Sequence, residues 1–507
     1  MAVSMTGTVG LRQAANYLAR LGSLFVTHLP PSALWTWVFV KGGRTISETA
    51  ILQDNATHHA HVVLPLSCMP GPDISDSRRW QYCAAHGVMG GLCDEVSPDA
   101  LPPPTPPPVT YQTALARVPV VVTAGNRHQY LYHSLTTLLR APGAEHNNVE
   151  VVLGDATPST TQLLQLMNVT FTTLTLRGQG NNRLFWYYRD VFRLVANKFP
   201  DAPAVIFLDE DIEVSPDFFS FMSQTLWLLD ADPTLYCVNG HSAMGLQGLA
   251  FDSTRVFRGA VQVEWGYGVT LDFVREALAL WEDVSTHNTA FYDFWLYMNV
   301  RKGRECVFPE ITRTLHFGMG VNTDPYRKEK GPMSMVLVRE APIALRNVAR
   351  LRLTTWRHDL SRNISAAIPL RGNPCRATFL PDTPTSPHYV FYYKLDMLRD
   401  GTGRPDPYQY FQPTECLGMW SLSEQGHHQG IAIVRFAESA TLYLVGVPYS
   451  HYSHLRPSTV PLWDADALTD QEFEQMSNYT QARDAGTSII ANVNVTSRIL
   501  MKELSTV

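Results

Sequence analysis

The sequence predicts an α/β fold, a doubly wound and mainly parallel sheet. Three short apolar segments, Val118–Thr123, Val149–Leu153 and Ala204–Leu208, have the composition of strands buried on both faces. Between these strands, apolar residues recur at helical spacing, most clearly from Leu131 to Leu139 and over residues 185–198. Strands and helices that alternate in units of about 30 residues are typical of parallel sheets.

Polar residues follow each of the three predicted strands. Arg127 comes after the first strand, Asp155 after the second, and the triplet Asp209-Glu-Asp211 after the third. Because the carboxyl ends of parallel strands meet at one edge, we expect these residues on a single rim, which is where ligands bind in open α/β sheets.

The acidic triplet allows two interpretations. In an extended chain Asp209 and Asp211 share a face and Glu210 points away, so two carboxylates converge as ligands for Mg²⁺ or Mn²⁺. The alternative is an acidic turn leading into a helix capped by Ser215. The triplet alone leaves both open.

Composition excludes some functional classes. The net charge of −6 is spread over 507 residues, which argues against nucleic acid as a partner. No apolar stretch approaches the roughly 18–20 residues that cross a bilayer. The 45% hydrophobic and 17% charged residues are those of a globular protein, long enough for several domains.

Changes in composition predict five segments along the chain. A proline-rich stretch excludes helix and sheet interior and marks the main boundary. Short strands predict a β-rich C-terminal part, at Tyr389–Tyr393, Gly430–Arg435 and Thr441–Gly446. The predicted segments are an N-terminal α+β unit at 11–97, a linker at 98–116, the α/β domain at 117–345, a β-rich subdomain at 346–470 and a polar tail at 471–507.

Two features predict a secretory lumen. Seven cysteines occur without a Cys-x-x-Cys motif, which fits structural disulfides, with one thiol left over. We therefore expect a luminal protein. Because the N-terminus lacks the layout of a signal peptide, we also expect that an N-terminal membrane anchor is missing from this chain. Five glycosylation sequons point the same way, at Asn55, Asn168, Asn363, Asn478 and Asn494.

The remaining motifs favour a nucleotide-sugar enzyme. The sequence contains no Gly-x-Gly-x-x-Gly, no Gly-Lys-Ser/Thr loop and no Gly-x-Ser-x-Gly elbow. The histidine pairs His58-His59 and His427-His428 are interpreted as surface residues. Asp293 lies among aromatic residues, a combination that suits sugar rings and their hydroxyls.

At these residues the sequence resembles the β-1,2-N-acetylglucosaminyltransferase I family, glycosyltransferase family 13, from about residue 11 to residue 465. Cys416–Trp420 and Leu444–Pro448 favour the branch that acts on O-mannosyl glycans over the N-glycan branch, and the unit at 11–97 resembles that branch's carbohydrate-binding stem domain. The resemblance is densest at Val118–Tyr132, Phe207–Phe221, Gly303–Gly318 and Asn373–Asp382.

The resemblance implies a GT-A fold and an inverting, Mn²⁺-dependent transfer of GlcNAc from UDP-GlcNAc to the 2-hydroxyl of a mannose on a glycoprotein, in the Golgi lumen. It implies Asp211 as metal ligand and Asp293 as general base. The remaining implied positions are Asp209 and Glu210 towards sugar and ribose, Arg127 and Asp155 at the uridine, and disulfides Cys237–Cys306 and Cys375–Cys416.

The sequence also departs from the family pattern. Residues 238–245 and 266–269 differ from the family's stretches near donor and acceptor, and each lacks a tryptophan that the family has. A second hypothesis is therefore a catalytically inactive glycan-binding protein that keeps the same fold.

Overall fold

The computed structural model describes part of the chain, from residue 33 to residue 464 with gaps. The described residues are 33–40, 44–52, 77–86, 90–93, 99–101, 103–242, 244–246, 248–282, 291–318, 335–376, 378–398, 403–419 and 426–464. Most of the N-terminal unit predicted at 11–97 and all of the tail predicted at 471–507 lie outside them. None of the described helices is long and apolar enough to cross a membrane.

Strands and helices alternate through the first half of the described chain, and strands predominate in the second. The strands are β1 Ala33–Val40, β2 Arg44–Leu52, β3 Val120–Ala124, β4 Val149–Gly154, β5 Thr170–Leu174, β6 Ala204–Asp209, β7 Ile212–Val214, β8 Leu235–Asn239, β9 Val256–Gly259, β10 Tyr267–Thr270, β11 Glu305–Pro309, β12 Thr314–His316, β13 Ile368–Pro369, β14 His388–Leu395, β15 Ile431–Ala437 and β16 Ala440–Pro448. The helices are α1 Ser77–His86, α2 Gln112–Leu115, α3 His128–Arg140, α4 Pro158–Leu166, α5 Gly180–Lys198, α6 Phe218–Thr225, α7 Leu228–Ala231, α8 Leu271–Trp281, α9 Tyr292–Trp295, α10 Leu353–Ser365 and α11 Pro407–Cys416.

The central sheet confirms the predicted α/β class. Its eight strands lie in the order β5-β4-β3-β6-β10-β8-β11-β9. The first four are parallel, β8 and β11 are parallel, and β10 and β9 are antiparallel to their neighbours. This mainly parallel order agrees with the doubly wound sheet that the sequence predicts.

Helices cover both faces of this sheet. Successive valines of β3 point to opposite sides: Val120 and Val122 join one core with Leu135 of α3. Val121 joins the other core with Phe192 of α5. Burial on both faces explains the unbroken apolar strands that the sequence shows.

The C-terminal part is β-rich, as predicted. Its sheet has the order β13-β14-β16-β15. Phe391 and Leu444 on one face form a separate core. Tyr392 and Val445 on the opposite face join the same core as Phe192 of the central sheet. The second sheet is thus packed directly against the first domain. The domain limits themselves stay predictions.

Near the N-terminus, β1 and β2 form an antiparallel pair. In the proline-rich linker, Asp99 binds Arg140 of α3 at 2.9 Å and also accepts a hydrogen bond from Tyr132. The beginning of the linker therefore lies against the α/β domain.

The structure joins Cys237 to Cys306 and Cys375 to Cys416, as the resemblance implies. The first disulfide connects β8 to β11 within the central sheet. A further disulfide, Cys83–Cys93, was not predicted. The seventh cysteine, Cys68, lies outside the described residues.

Two local predictions were wrong. The helix after the triplet begins at Phe218 with Asp217 at its N-cap position, because Ser215 instead accepts a hydrogen bond from the backbone N–H of Asp217. His427 and His428 are buried, with exposed fractions of 5% and 0%, and are not surface residues.

Candidate functional site

The predicted rim exists at the carboxyl ends of β3, β4 and β6. These strands are adjacent and parallel, so Arg127, Asp155 and Asp209 follow them at the same edge of the sheet. After Asp209 the chain turns at once into β7, which pairs with β12. That pairing sets His316 opposite Ile212 and brings a histidine to the triplet.

Arg127 connects two of the three carboxylates. Its Nε lies 2.6 Å from Oε1 of Glu210, and one terminal nitrogen lies 2.8 Å from Oδ2 of Asp211. The backbone N–H of Gly125 donates to the other oxygen of Glu210 at 2.9 Å. Glu210 and Asp211 thus lie together, and the expectation that Glu210 points away was wrong because β6 ends at Asp209 and the strand alternation stops there.

Asp209 points towards hydroxyl groups. Its Oδ1 accepts a hydrogen bond from Thr123 at 2.6 Å and another from the phenol of Tyr188. Burial, together with the neighbouring charge of Asp211, raises the pKa of Asp209 above its usual value. The carboxylate is held in place by its hydroxyl donors, but its charge is not neutralised by them.

Asp211 is the most strongly ionised member of the triplet. Burial opposes its ionisation, but His316, whose Nε2 lies 3.3 Å from Oδ2, and Arg127 outweigh burial and hold the pKa of Asp211 well below its usual range. Gly318 lies directly against this carboxylate: a Cβ there would come within 1.9 Å of Oδ2. A side chain at position 318 would therefore displace the carboxylate or the backbone.

The donors present suit a divalent cation that shares its coordination with a ligand. Within the described residues, no group of three or more His, Cys, Asp or Glu side chains is arranged as a complete metal site. Asp211 and His316 provide two adjacent donors beside a turn. Mg²⁺ and similar ions are often held by one or two carboxylates and completed by phosphates and water, so this partial set fits such an ion.

His316 is supported from behind by an aromatic stack. Its ring lies parallel to Trp265 at 5.1 Å, and Trp265 meets His241 edge-on at 4.6 Å. Burial, and to a smaller extent His316, lowers the pKa of His241 to about 3, so this buried ring is neutral. Trp265 has a φ of +54°, a strained conformation for a bulky residue. Both altered stretches, 238–245 and 266–269, adjoin this stack.

Asp155 lies on the same rim but binds different groups. It forms an ion pair with Arg183 of α5 and accepts a hydrogen bond from the backbone N–H of Leu176 at 3.0 Å. Its own φ is +52°, and its carboxylate is partly exposed. It therefore lies at the far side of the rim, towards β5.

Asp293 begins the short helix α9 and is linked to the triplet through tyrosines. Tyr292 beside it stacks on Tyr188 with ring centres 3.4 Å apart, and Tyr188 donates to Asp209. Burial, followed by the charges of Asp209 and Asp293 among other contacts, raises the pKa of Tyr267 well above its usual value. Both carboxylates are thus near the same phenol.

The sequence analysis missed three residues that contact the triplet: Tyr188, His316 and Gly318. His316 and Gly318 lie within the Gly303–Gly318 stretch that resembles the family, which was the available signal. Tyr188 is one of several aromatic residues in α5 and carries no signal of its own.

A family model describing the GNT-I family matches residues 99–324, which contain every rim residue together with Asp293. An α-1,3-mannosyl-glycoprotein 2-β-N-acetylglucosaminyltransferase from Arabidopsis thaliana is 28% identical over 116 residues, 22% of this chain and 24% of the relative. The chain therefore aligns with about a quarter of that relative's length. These matches support the GNT-I family and a glycosyltransferase for the part of the chain that carries the rim.

Two solved structures illustrate how remote the structural similarities are. A mannosyltransferase from Pyrobaculum calidifontis, in complex with GDP-Man and Mn²⁺, has a TM-score of 0.26 and 17% identity over 38% of this chain and 54% of its own. A cytidylyltransferase from Leptospira borgpetersenii has a TM-score of 0.25 and 15% identity over 39% and 77%. Scores this low carry no argument about function.

Proposed function

We propose that this chain transfers GlcNAc from UDP-GlcNAc to the 2-hydroxyl of a mannose on a glycoprotein, with a divalent cation and with inversion at the anomeric carbon. The observation that carries the proposal is the surplus of negative charge at the end of β6, where three carboxylates adjoin Arg127 and His316. The family match over residues 99–324 supports the choice of reaction.

Asp211 and His316 would hold the cation, with Mn²⁺ as the proposed ion. When bound, it neutralises the charge that develops on the departing diphosphate. Arg127, which pairs with Glu210 and Asp211, would supply positive charge beside the donor. Arg127 and Asp155 are proposed to hold the uridine, and Asp209 and Glu210 the ribose and sugar.

Asp293 is the proposed general base. Inversion is a single displacement: the mannose oxygen bonds to the anomeric carbon, the bond to the diphosphate oxygen breaks, and the base takes the hydroxyl proton. Asp293 is only half-buried and begins a short helix, so it can face an acceptor. The stacking of its neighbour Tyr292 on Tyr188, which donates to Asp209, supports this role.

An O-mannosyl glycan is the proposed acceptor, as for protein O-linked-mannose β-1,2-N-acetylglucosaminyltransferase, and the Golgi lumen is the proposed location. The stretches Cys416–Trp420 and Leu444–Pro448 support this branch of the family. The disulfides Cys237–Cys306 and Cys375–Cys416 support an oxidising compartment.

A second candidate function is glycan binding without catalysis. It is favoured by the ion pairs of Arg127, which already partner Glu210 and Asp211, and by the neutral His241 in a stretch that departs from the family pattern. In this case the acidic turn would have a structural role, and the protein would bind a sugar without using UDP-GlcNAc as a donor.

A UDP-release assay distinguishes the two functions. The protein is incubated with UDP-GlcNAc and Mn²⁺, with an O-mannosyl peptide or an N-glycan core as acceptor, and with or without EDTA. The proposed enzyme releases UDP faster with the O-mannosyl acceptor and loses this activity in EDTA. Acceptor binding without any UDP release would instead support the glycan-binding protein.

Asp293→Asn separates catalysis from donor binding in the same assay. Removing a general base typically lowers the rate by about 10²–10⁴-fold. We therefore expect UDP release to fall by that amount while UDP affinity, measured by calorimetry with Mn²⁺, stays unchanged. Full turnover in Asp293→Asn would remove Asp293 from the mechanism.

A further inference from the structure

A second concave site lies at the opposite side of the central sheet from β5. It is a cavity of about 410 Å³ between the edge strand β9, helix α10 and the C-terminal sheet. Strand β9 is four strands away from β6 in the sheet order, and no rim residue lines this cavity. The volume is within the range of small-molecule sites, about 300–1,000 Å³.

The walls of this cavity are rich in cations. Five arginines and one histidine line it, against two carboxylates: Arg255, Arg346, Arg350, Arg362, Arg435 and His388. Asp359 pairs closely with Arg350, at 2.5 and 2.8 Å. The second carboxylate, Glu438, is at the exposed turn between β15 and β16.

Two of these arginines are weakly engaged within the protein. Arg255 reaches Glu310 at 3.6 Å and Asp252 at 3.9 Å, distances too long for good hydrogen bonds. Arg362 lies 3.3 Å from Asp359, which already binds Arg350. Their guanidinium groups thus retain donors for an anionic ligand.

The positive charges of Arg255 and Arg362 also change the pKa of two other side chains that line the cavity. Burial, then the charges of Arg255 and Arg362, lowers the pKa of His388 below its usual value. Burial, then the charge of Arg255, lowers the pKa of the fully buried Arg435. Both shifts agree with a wall lined by more arginines than carboxylates, with Glu310 and Asp252 opposing part of the shift of Arg435.

The same cavity offers the surfaces that a sugar ring needs. Trp356, Phe257 and Tyr443 provide apolar ring surface, and the amide of Asn363 and the hydroxyls of Ser439 and Thr441 provide neutral polar groups. The phenol of Tyr443 lies between His388 Nδ1 at 3.3 Å and Asn363 Nδ2 at 3.4 Å. These are long contacts that a ligand hydroxyl can replace.

We propose that this cavity binds a monosaccharide that carries a phosphate or a carboxylate, with Arg255 and Arg362 on the anionic group and Tyr443 and Asn363 on ring hydroxyls. The site is independent of the transfer reaction and requires neither UDP nor a metal. It would give the protein a second point of attachment to a negatively charged glycan, through its C-terminal sheet.

The test is calorimetric titration of the full chain with mannose 6-phosphate or glucuronic acid, in the absence of UDP and metal. The two probes distinguish phosphate from carboxylate as the anionic group. We expect at least one to bind about tenfold or more tightly than methyl mannoside and inorganic phosphate at equal ionic strength. Equal affinity for inorganic phosphate would overturn the sugar assignment, and no binding of either anionic sugar would overturn the site.

Two variants locate the binding. Arg362 is exposed on α10, so Arg362→Gln removes a cation with little effect on folding, and Ser439→Glu adds a negative charge at the exposed turn. Each should weaken binding about tenfold. The matched controls, Ser439→Gln for size and Arg275→Gln for loss of an exposed arginine elsewhere, should bind normally. Unchanged binding in both test variants would overturn the assignment.

Asn363 gives one further test, because it begins a glycosylation sequon. Peptide mass spectrometry of the protein secreted from animal cells shows whether Asn363 carries a glycan. An unmodified Asn363 leaves its amide available to a ligand, as proposed. A glycan attached there would fill the mouth of the cavity and overturn the proposal.

Discussion

Two clusters of buried charge lie in the central sheet, and they are balanced differently. The rim cluster consists of Asp209, Glu210, Asp211, Arg127 and His316. The Arg258 cluster consists of Arg258, Asp232, Glu305 and His428, at the edge where the C-terminal sheet docks. Both are largely inaccessible to solvent, so burial alone does not distinguish them.

In the Arg258 cluster every group meets a partner at short distance. Arg258 contacts Glu305 and Asp232 at 2.8 Å each, and it also donates to the carbonyl oxygen of Leu351 at 2.8 Å. His428 lies 2.7 Å from Glu305 through Nδ1 and 3.1 Å from the Tyr452 hydroxyl through Nε2. Such complete pairing is what a buried charge needs to be tolerated in a core.

In the rim cluster, by comparison, the positive groups do not fully balance the charges of the carboxylates. Burial raises the pKa of Asp209 and of Glu210, although Arg127 opposes the shift of Glu210. In the Arg258 cluster, burial is outweighed by His428 and Arg258, which lower the pKa of Glu305. A surplus of negative charge that the protein itself does not neutralise is typical of a site for a cation.

The largest effect is expected from Asp211→Asn. Loss of the proposed metal contact should lower the rate of UDP release on the order of a thousandfold, since metal stabilisation of a leaving group is worth several kcal/mol. UDP release in the presence of Mn²⁺ measures it. Thr157→Ala removes the N-cap of α4, away from the triplet. It serves as the control that shows how far a loss of stability alone lowers UDP release. Turnover near the wild-type level in Asp211→Asn would show that the surplus charge is not a metal site.

Glu305→Gln tests the Arg258 cluster. The substitution removes one of the two carboxylates that pair with Arg258, and the same carboxylate pairs with His428. We expect a loss of about 3 kcal/mol in the free energy of unfolding. Urea unfolding measures this loss, and UDP release per folded molecule should be unchanged. A loss of activity without a loss of stability would reverse the comparison between the two clusters.

The sequence predicts the sheet and most of the rim because both depend on local order. Apolar strands buried on both faces show as unbroken runs, and parallel strands necessarily bring Arg127 and Asp211 to one edge. The contacts between distant segments were not predictable in this way. His428 meets Glu305 across 123 positions of sequence, and nothing local distinguishes such a histidine from a surface pair.

The orientation predicted for Glu210 was wrong for a similar reason. Alternation along a strand predicts that Glu210 points away from Asp211, but it holds only while the chain stays extended. The turn into β7 is set by pairing with β12, more than 100 residues later in the chain. Local periodicity carries no information about that partner.

The smallest effect is expected from Asp209→Asn, and its sign is opposite to that of Glu305→Gln. The amide oxygen can still accept hydrogen bonds from Thr123 and Tyr188, while the cost of a buried charge is removed. We expect the free energy of unfolding to rise by about 1 kcal/mol near neutral pH, as for other stabilising changes at functional sites. Urea unfolding near neutral pH measures the gain.

The pH dependence separates these two variants from any general change in stability. Because the pKa of Asp209 is raised in the folded state, its cost is absent below the unfolded value of about 3.9 and grows as the pH rises above it. Because the pKa of Glu305 is lowered, its contribution is complete above about 4.3 and is lost as the pH falls through the folded value. As the pH falls, the gain in the free energy of unfolding in Asp209→Asn and the loss in Glu305→Gln should therefore both become smaller. Urea unfolding at several pH values between about 3 and 7 measures both curves. If Asp209→Asn instead destabilised the protein near neutral pH, the triplet would be a balanced structural cluster like that of Arg258.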